Sequence, residues 1–150
     1  MRTINLLAAL VLLSSVSLAQ ADDTPEAITP PSTQISDIKT GIGPVAEAGQ
    51  EITVHYTGWL YSEQARNGHG KKFDSSRDRA KPIHFVLGAG RVIAGWEQGL
   101  PGMQVGGKRT LIIPSELAYG SHGVTGLIPP DANLIFDVEL LSVKSPAPIN

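Results

Sequence analysis

Residues 85–96 read FVLGAGRVIAGW. An apolar, strand-like run ends in Gly88-Ala89-Gly90, and an apolar stretch of helical character follows. A strand, a G-x-G turn and a helix start are how a dinucleotide-binding unit opens. That fingerprint needs a third glycine, and Ile93 stands in its place. It also needs a crossover helix of about ten or more residues before the next parallel strand. Between Arg91 and Gly107 the chain carries Gly95, Gly99, Pro101, Gly102 and Gly106, which cannot sustain such a helix. Glu116 has the spacing of a ribose-binding acid, but Pro114 precedes it and no alternating strand–helix pattern follows. The segment is therefore strand, glycine turn and one short helix, expected over Val92–Leu100.

Its neighbours are strands. In EITVHYTGWL, Ile52, Val54, Tyr56 and Leu60 share one face, and Thr53, His55, Thr57 and Trp59 the other. In NLIFDVELLSV, Leu134, Phe136, Val138 and Leu140 alternate with Asp137 and Glu139. IHFVL and KRTLIIP are two further strands, and residues 35–39 are a candidate for another. Two stretches, Tyr61–Lys72 and Pro114–Pro130, read as long irregular loops, which in a compact domain tend to be functional.

The 150-residue length fits one domain. Residues 1–21 have the makeup of a signal peptide: Arg2, an apolar run from Ile4, and Ala19-Gln20-Ala21 as a small-x-small cleavage pattern. The run falls short of the ~20 apolar residues that span a bilayer, so no stable membrane insertion is expected after cleavage. Export to a periplasm (for a Gram-negative source) or secretion follows as an expectation. Residues 22–33, DDTPEAITPPST, read as a flexible linker, 34–144 as the folded domain, and 145–150 as a flexible tail. There is no cysteine, which excludes disulfides, thiolate catalysis and thiolate metal sites. The four histidines show no ligand spacing, and His69, in a glycine-flanked loop, is expected to be solvated. Net charge is −2, and losing the leader with its Arg2 makes it −3, which gives no electrostatic case for nucleic acid. No dimerisation helix is evident, so a monomer is expected.

VHYTGWL at 54–60, FDSSRDRAKP at 73–82, residues 85–114, AYGSHG at 118–123 and IPPDANLIFDVELL at 128–141 together resemble the FKBP-type peptidyl-prolyl isomerases. The resemblance covers nearly all of residues 34–144. It implies an α+β fold, a twisted antiparallel sheet of five to six strands curled around one short helix. It implies an apolar pocket between sheet and helix. Carried over by motif, Asp74, Tyr119, Tyr56 and Trp96 are the candidate catalytic residues. Phe73, Val92, Ile93, Leu127, Ile128 and Phe136 are the candidate substrate-binding residues. Proline-containing polypeptides are the implied clients, and macrolides such as rapamycin possible inhibitors. The chain departs from the family pattern at Ile83, where an aromatic is common, at Val124 and Leu127, and in a longer 61–72 loop.

The chemistry suits such a pocket. Rotating an X-Pro bond breaks amide resonance against a barrier of about 18–20 kcal/mol. No bond to carbon is made or broken, so no nucleophile, metal or cofactor is needed. A planar amide is more dipolar than a twisted one, so a water-poor apolar pocket favours the transition state. Trp96 offers a flat floor, Tyr119 a hydroxyl for a substrate carbonyl, and Asp74 a charge oriented by Tyr56 and Arg79. Each residue also has a plainer reading: core packing for Trp96 and Phe136, a turn or cap for Asp74, a loop anchor for Tyr119. A non-catalytic binding module or holdase with the same pocket is the alternative function.

Overall fold

The computed structural model describes residues 30–146. The expected signal peptide, most of the expected linker and residues 147–150 lie outside them. Among the described residues there are six strands: β1 (Gln34–Lys39), β2 (Glu51–Tyr61), β3 (His69–Ser75), β4 (Ile83–Val86), β5 (Lys108–Ile113) and β6 (Leu134–Lys144). One α-helix, α1 (Ala94–Gly99), joins them, with single 3-10 turns at Arg66–Gly68 and Ser115–Leu117. The sheet is antiparallel in the order β1-β5-β6-β2-β3, and β4 also pairs with β2. β3 takes the C-terminal half of one β2 edge, opposite Thr57–Tyr61, and β4 the N-terminal half, opposite Glu51–Val54.

The period-two pattern governs the core. Ile52, Val54 and Tyr56 of β2 and Leu134, Phe136, Val138 and Leu140 of β6 are buried. Leu111 and Ile113 of β5 and Trp96 and Leu100 of the helical segment close the same cluster. The stretch read as a 61–72 loop is a hairpin instead: β2 runs to Tyr61 and β3 begins at His69. Alternating glycine and polar residues in GHGKK carry no hydrophobic period, so pairing with β2 decides the conformation. His69 is not a solvated loop residue either. Its ring stacks on Trp59 at 4.1 Å, and its Nε2 lies 3.4 Å from Asp137.

In the opening stretch, Gly88 and Gly90 have φ of 83° and 69°, a turn that other residues resist. Their backbone N–H groups donate to the Glu97 carboxylate at 2.5 and 3.1 Å. The donors that would cradle a phosphate in a dinucleotide site are thus satisfied by the helix that follows them. The helix spans only Ala94–Gly99, shorter than expected, because Ile93 is extended.

Gly95 and Gly99 set how deeply α1 sits. A Cβ on Gly95 would lie 2.3 Å from Ile113, and one on Gly99 2.6 Å from Leu111. Arg109, 8 % exposed, ties the arrangement together. It donates to Asp37 of β1 at 2.6 Å, to the Gly99 carbonyl at 2.8 Å and to the Pro101 carbonyl at 3.1 Å. Those carbonyls end the helix and would otherwise lack partners. Gly95→Ala should cost about 1–3 kcal/mol by overpacking, measured by urea unfolding. A midpoint equal to that of the parent chain would mean that the helix has room to move away.

Candidate functional site

The site lies where the inner face of β2 meets α1. Alternation along β2 sends Tyr56 and Gly58 inward. At Gly58 the missing side chain admits two rings: an added Cβ would lie 2.7 Å from both Phe73 and Phe136. Phe73 and Phe136 meet edge to face at 5.6 Å. Trp96 makes edge-to-face contacts with Tyr56 at 5.1 Å and Phe136 at 5.3 Å, and the residue is 4 % exposed. Such pairs lock ring orientations as well as burying area.

These rings bound an open cavity of about 190 Å³. Tyr56, Phe73, Trp96 and Phe136 line it, with Val92 and Ile93 from the segment before α1. Asp74 and Tyr119 stand at its polar side, and Ile83 and Arg91 complete it. Eight of the ten residues singled out from the sequence are thus brought around one cavity. Leu127 and Ile128 are not among its lining. They line a neighbouring cavity with Leu60, Lys71, His122 and Val124, and Ile128 is itself buried in the core. Arg91 escaped the sequence reading, since a lone charge beside a glycine turn carries no pattern. Ile83 was noted only as a departure.

The Phe-Asp-Ser-Ser segment divides its work. The Ser76 hydroxyl, fully buried, bonds the Tyr56 N–H at 2.9 Å and approaches His55 Nδ1 at 2.8 Å. The Ser75 hydroxyl meets Thr57 Oγ1 at 2.8 Å. The serines fasten this segment to β2, so Asp74 is released from turn duty and faces the cavity. Tyr56 donates its hydroxyl to one Asp74 oxygen, and Arg79 Nη1 donates to the other at 2.5 Å. Arg79 Nη2 also reaches the Tyr56 oxygen at 3.2 Å.

The electrostatics follow. Burial works against the Asp74 carboxylate, but the bonds from Tyr56 and Arg79 outweigh it and hold its pKa below the usual Asp value. Burial, reinforced by Asp74, raises Tyr56. Burial and the charge of Asp74 raise Tyr119 as well. Both phenols therefore remain donors at neutral pH. The Tyr119 hydroxyl bonds no described residue, and the side chain is 41 % exposed as a residue. Arg91 is exposed and pairs with no described carboxylate. Among the described residues no group of His, Asp or Glu has metal-site geometry.

The arrangement consists of an open, aromatic-walled box with one fixed anion, the Asp74 carboxylate, and the Tyr119 hydroxyl at its polar side. Comparison with known proteins agrees with that chemistry. Residues 43–141 match the family model described as FKBP-type peptidyl-prolyl cis-trans isomerase. An FK506-binding protein of Neisseria meningitidis serogroup B is 56 % identical over 109 residues, 73 % of this chain and 94 % of that protein. The Saccharomyces cerevisiae peptidyl-prolyl cis-trans isomerase FPR2 is 57 % identical over 102 residues, 68 % of this chain and 71 % of its own. The crystal structure of AtFKBP13 superposes with a TM-score of 0.64 at 44 % identity, covering 75 % of this chain and 93 % of that one. The chain belongs to the FKBP-type peptidyl-prolyl cis-trans isomerases, enzymes that rotate the X-Pro peptide bond.

Proposed function

We propose that the cavity over Trp96 holds the prolyl ring and that Asp74 and Tyr119 act on the rotating amide. The observation that carries this is the commitment of both Asp74 oxygens to Tyr56 and Arg79 at the edge of a cavity walled by aromatic rings. A carboxylate so held is a weaker base than an ordinary Asp, because the bonds from Tyr56 and Arg79 favour its charged form. It acts instead as a preorganised negative potential beside the carbonyl as resonance is lost. Phe73, Val92, Ile93 and Phe136 keep water away, which disfavours the dipolar planar amide. The Tyr119 hydroxyl holds a substrate carbonyl while the other half of the bond turns. Bringing a reaction of tens to hundreds of seconds into milliseconds takes about five decades, or ~7 kcal/mol, which desolvation, positioning and one fixed charge share.

The reading extends to setting. The basic, apolar and small-residue pattern of residues 1–21 supports export, so the clients are newly translocated chains in a periplasm or outside the cell. The chain acts there as a folding helper and as a monomer. A macrolide of the FK506 type would occupy the same aromatic box, with Ile83 and Arg91 setting its affinity.

Three outcomes test the site. In a protease-coupled cis/trans assay on a short proline peptide, Asp74→Val and Tyr119→Phe should each lower kcat/KM, by roughly tenfold and threefold, with unchanged circular dichroism. Parent-level turnover in both would discard the assigned roles. The pH profile follows from the direction of each shift. With Asp74 below its usual value, kcat/KM should be flat from about pH 8 to 5 and fall only below the ordinary carboxylate range near ~3.9. The Asp74 contribution to stability has the same sign: present above the unfolded Asp value and lost as pH falls through the folded one. A midpoint near pH 6 would point to a histidine instead. Finally, the free charge of Arg91 should favour a glutamate over a lysine next to the proline by about two- to fivefold at low salt, with the order inverted in Arg91→Glu. Equal turnover of the two peptides would leave Arg91 without a role in selection.

A further inference from the structure

The second cavity is larger than the first, about 450 Å³, and is walled by Leu60, Val124, Leu127, Ile128 and Pro129, with Lys71 and His122 at its rim. Three observations join it to the prolyl cavity. Strand β2 presents Tyr56 to the first cavity and Leu60 to the second on the same inward face. Strand β3 likewise supplies Phe73 to one and Lys71 to the other. The loop after β5 supplies Tyr119 to the first and His122 and residues 124–130 to the second.

The wall is preformed. Val124 and Ile128 exchange backbone hydrogen bonds at 2.8 and 2.9 Å, and Gly123 and Asp131 bond back to Tyr119 and Gly120 at 3.1 and 2.9 Å. A Cβ on Gly123 would lie 2.3 Å from the Ile128 carbonyl, so the loop closes on itself tightly. This rigid hairpin holds Leu127 out at 52 % exposure. Leu127 alone would mean little, but it is continuous with the apolar wall of Leu60, Val124, Ile128 and Pro129, and a contiguous exposed apolar patch marks a contact surface.

We infer that this cavity is a second subsite for the polypeptide substrate, taking an apolar side chain of the same chain whose proline occupies the box over Trp96. The inference rests on that placement of the proline. The occupant is the client chain because the two cavities share both strands and the loop. Tyr56 and Leu60 are four residues apart, about 13 Å along a strand. An extended client covers that distance in three to four residues, so the selected side chain lies three to four positions from the proline. Lys71 and His122 at the rim accommodate polar neighbours.

The test uses ten-residue proline peptides with leucine or asparagine three or four residues before or after the proline, and a tetrapeptide as reference. The leucine-to-asparagine ratio of kcat/KM should be about three to ten on one side of the proline. Leu127→Asn and Thr125→Asp should each bring that ratio to about one. His122 ring-proton shifts should follow titration with the leucine peptide in the parent chain. Tyr119→Phe should lower turnover of all peptides together and leave the ratio intact. A ratio of one in the parent chain for both placements would overturn the subsite, as would a ratio surviving in both cavity variants. Failure of the prolyl box would show differently, as tetrapeptide turnover unmoved by Asp74→Val and Tyr119→Phe.

Discussion

Everything in this domain hangs on how closely one short helix lies on the sheet. Gly95 and Gly99 face Ile113 and Leu111 with no room for a methyl group between them. A six-residue helix has little stability of its own and persists only through packing. The contact is therefore both what the helix depends on and what positions Trp96 one residue beyond Gly95. Arg109 reinforces it from below by satisfying the carbonyls at the helix end while holding β1 through Asp37. Glu97 does the same from the other end by capturing the glycine turn. Three separate devices converge on the level of a single indole ring.

The aromatic box is built on the same economy of space. Gly58 leaves β2 bare where Phe73 and Phe136 cross it, and Ser75 and Ser76 fasten the next segment to β2 so that Asp74 faces inward. The charge next to the cavity is thereby fixed in direction by Tyr56 and Arg79. A charge fixed in direction needs no reorganisation when a nearby dipole changes, unlike a mobile charge in water.

Much of this could be read from residue order. Strands β2 and β6 declare themselves by alternation, and the glycine pattern after residue 87 rules out a long crossover helix. Strand β3 could not be read, because His69, Gly70 and Lys71 carry no apolar period and their conformation comes from the neighbour. The stacking of His69 on Trp59 was hidden for the same reason: the partners lie ten positions apart across a hairpin taken for a loop. The separation of Leu127 and Ile128 from the cavity over Trp96 was invisible too. Tyr119 and the pair Leu127 and Ile128, carried by one loop, are sorted into different cavities by a turn whose closure depends on backbone hydrogen bonds. Arg91 was silent since a single charge has no period at all.

The central place of β6 has a consequence for how the chain is made. The last strand in sequence lies between β5 and β2, and it brings Phe136 into the box. Until it arrives, β2 lacks a neighbour on one whole side and β5 cannot join the sheet through it. Until β6 is in place the β1–β5 pair and the β2–β3–β4 group have nothing to join them, and the sheet closes through pairings between residues some eighty positions apart. Such long-range closure is slow by the measure of contact order. This catalyst of other proteins' slow steps cannot begin work on any client until its own final strand is in place.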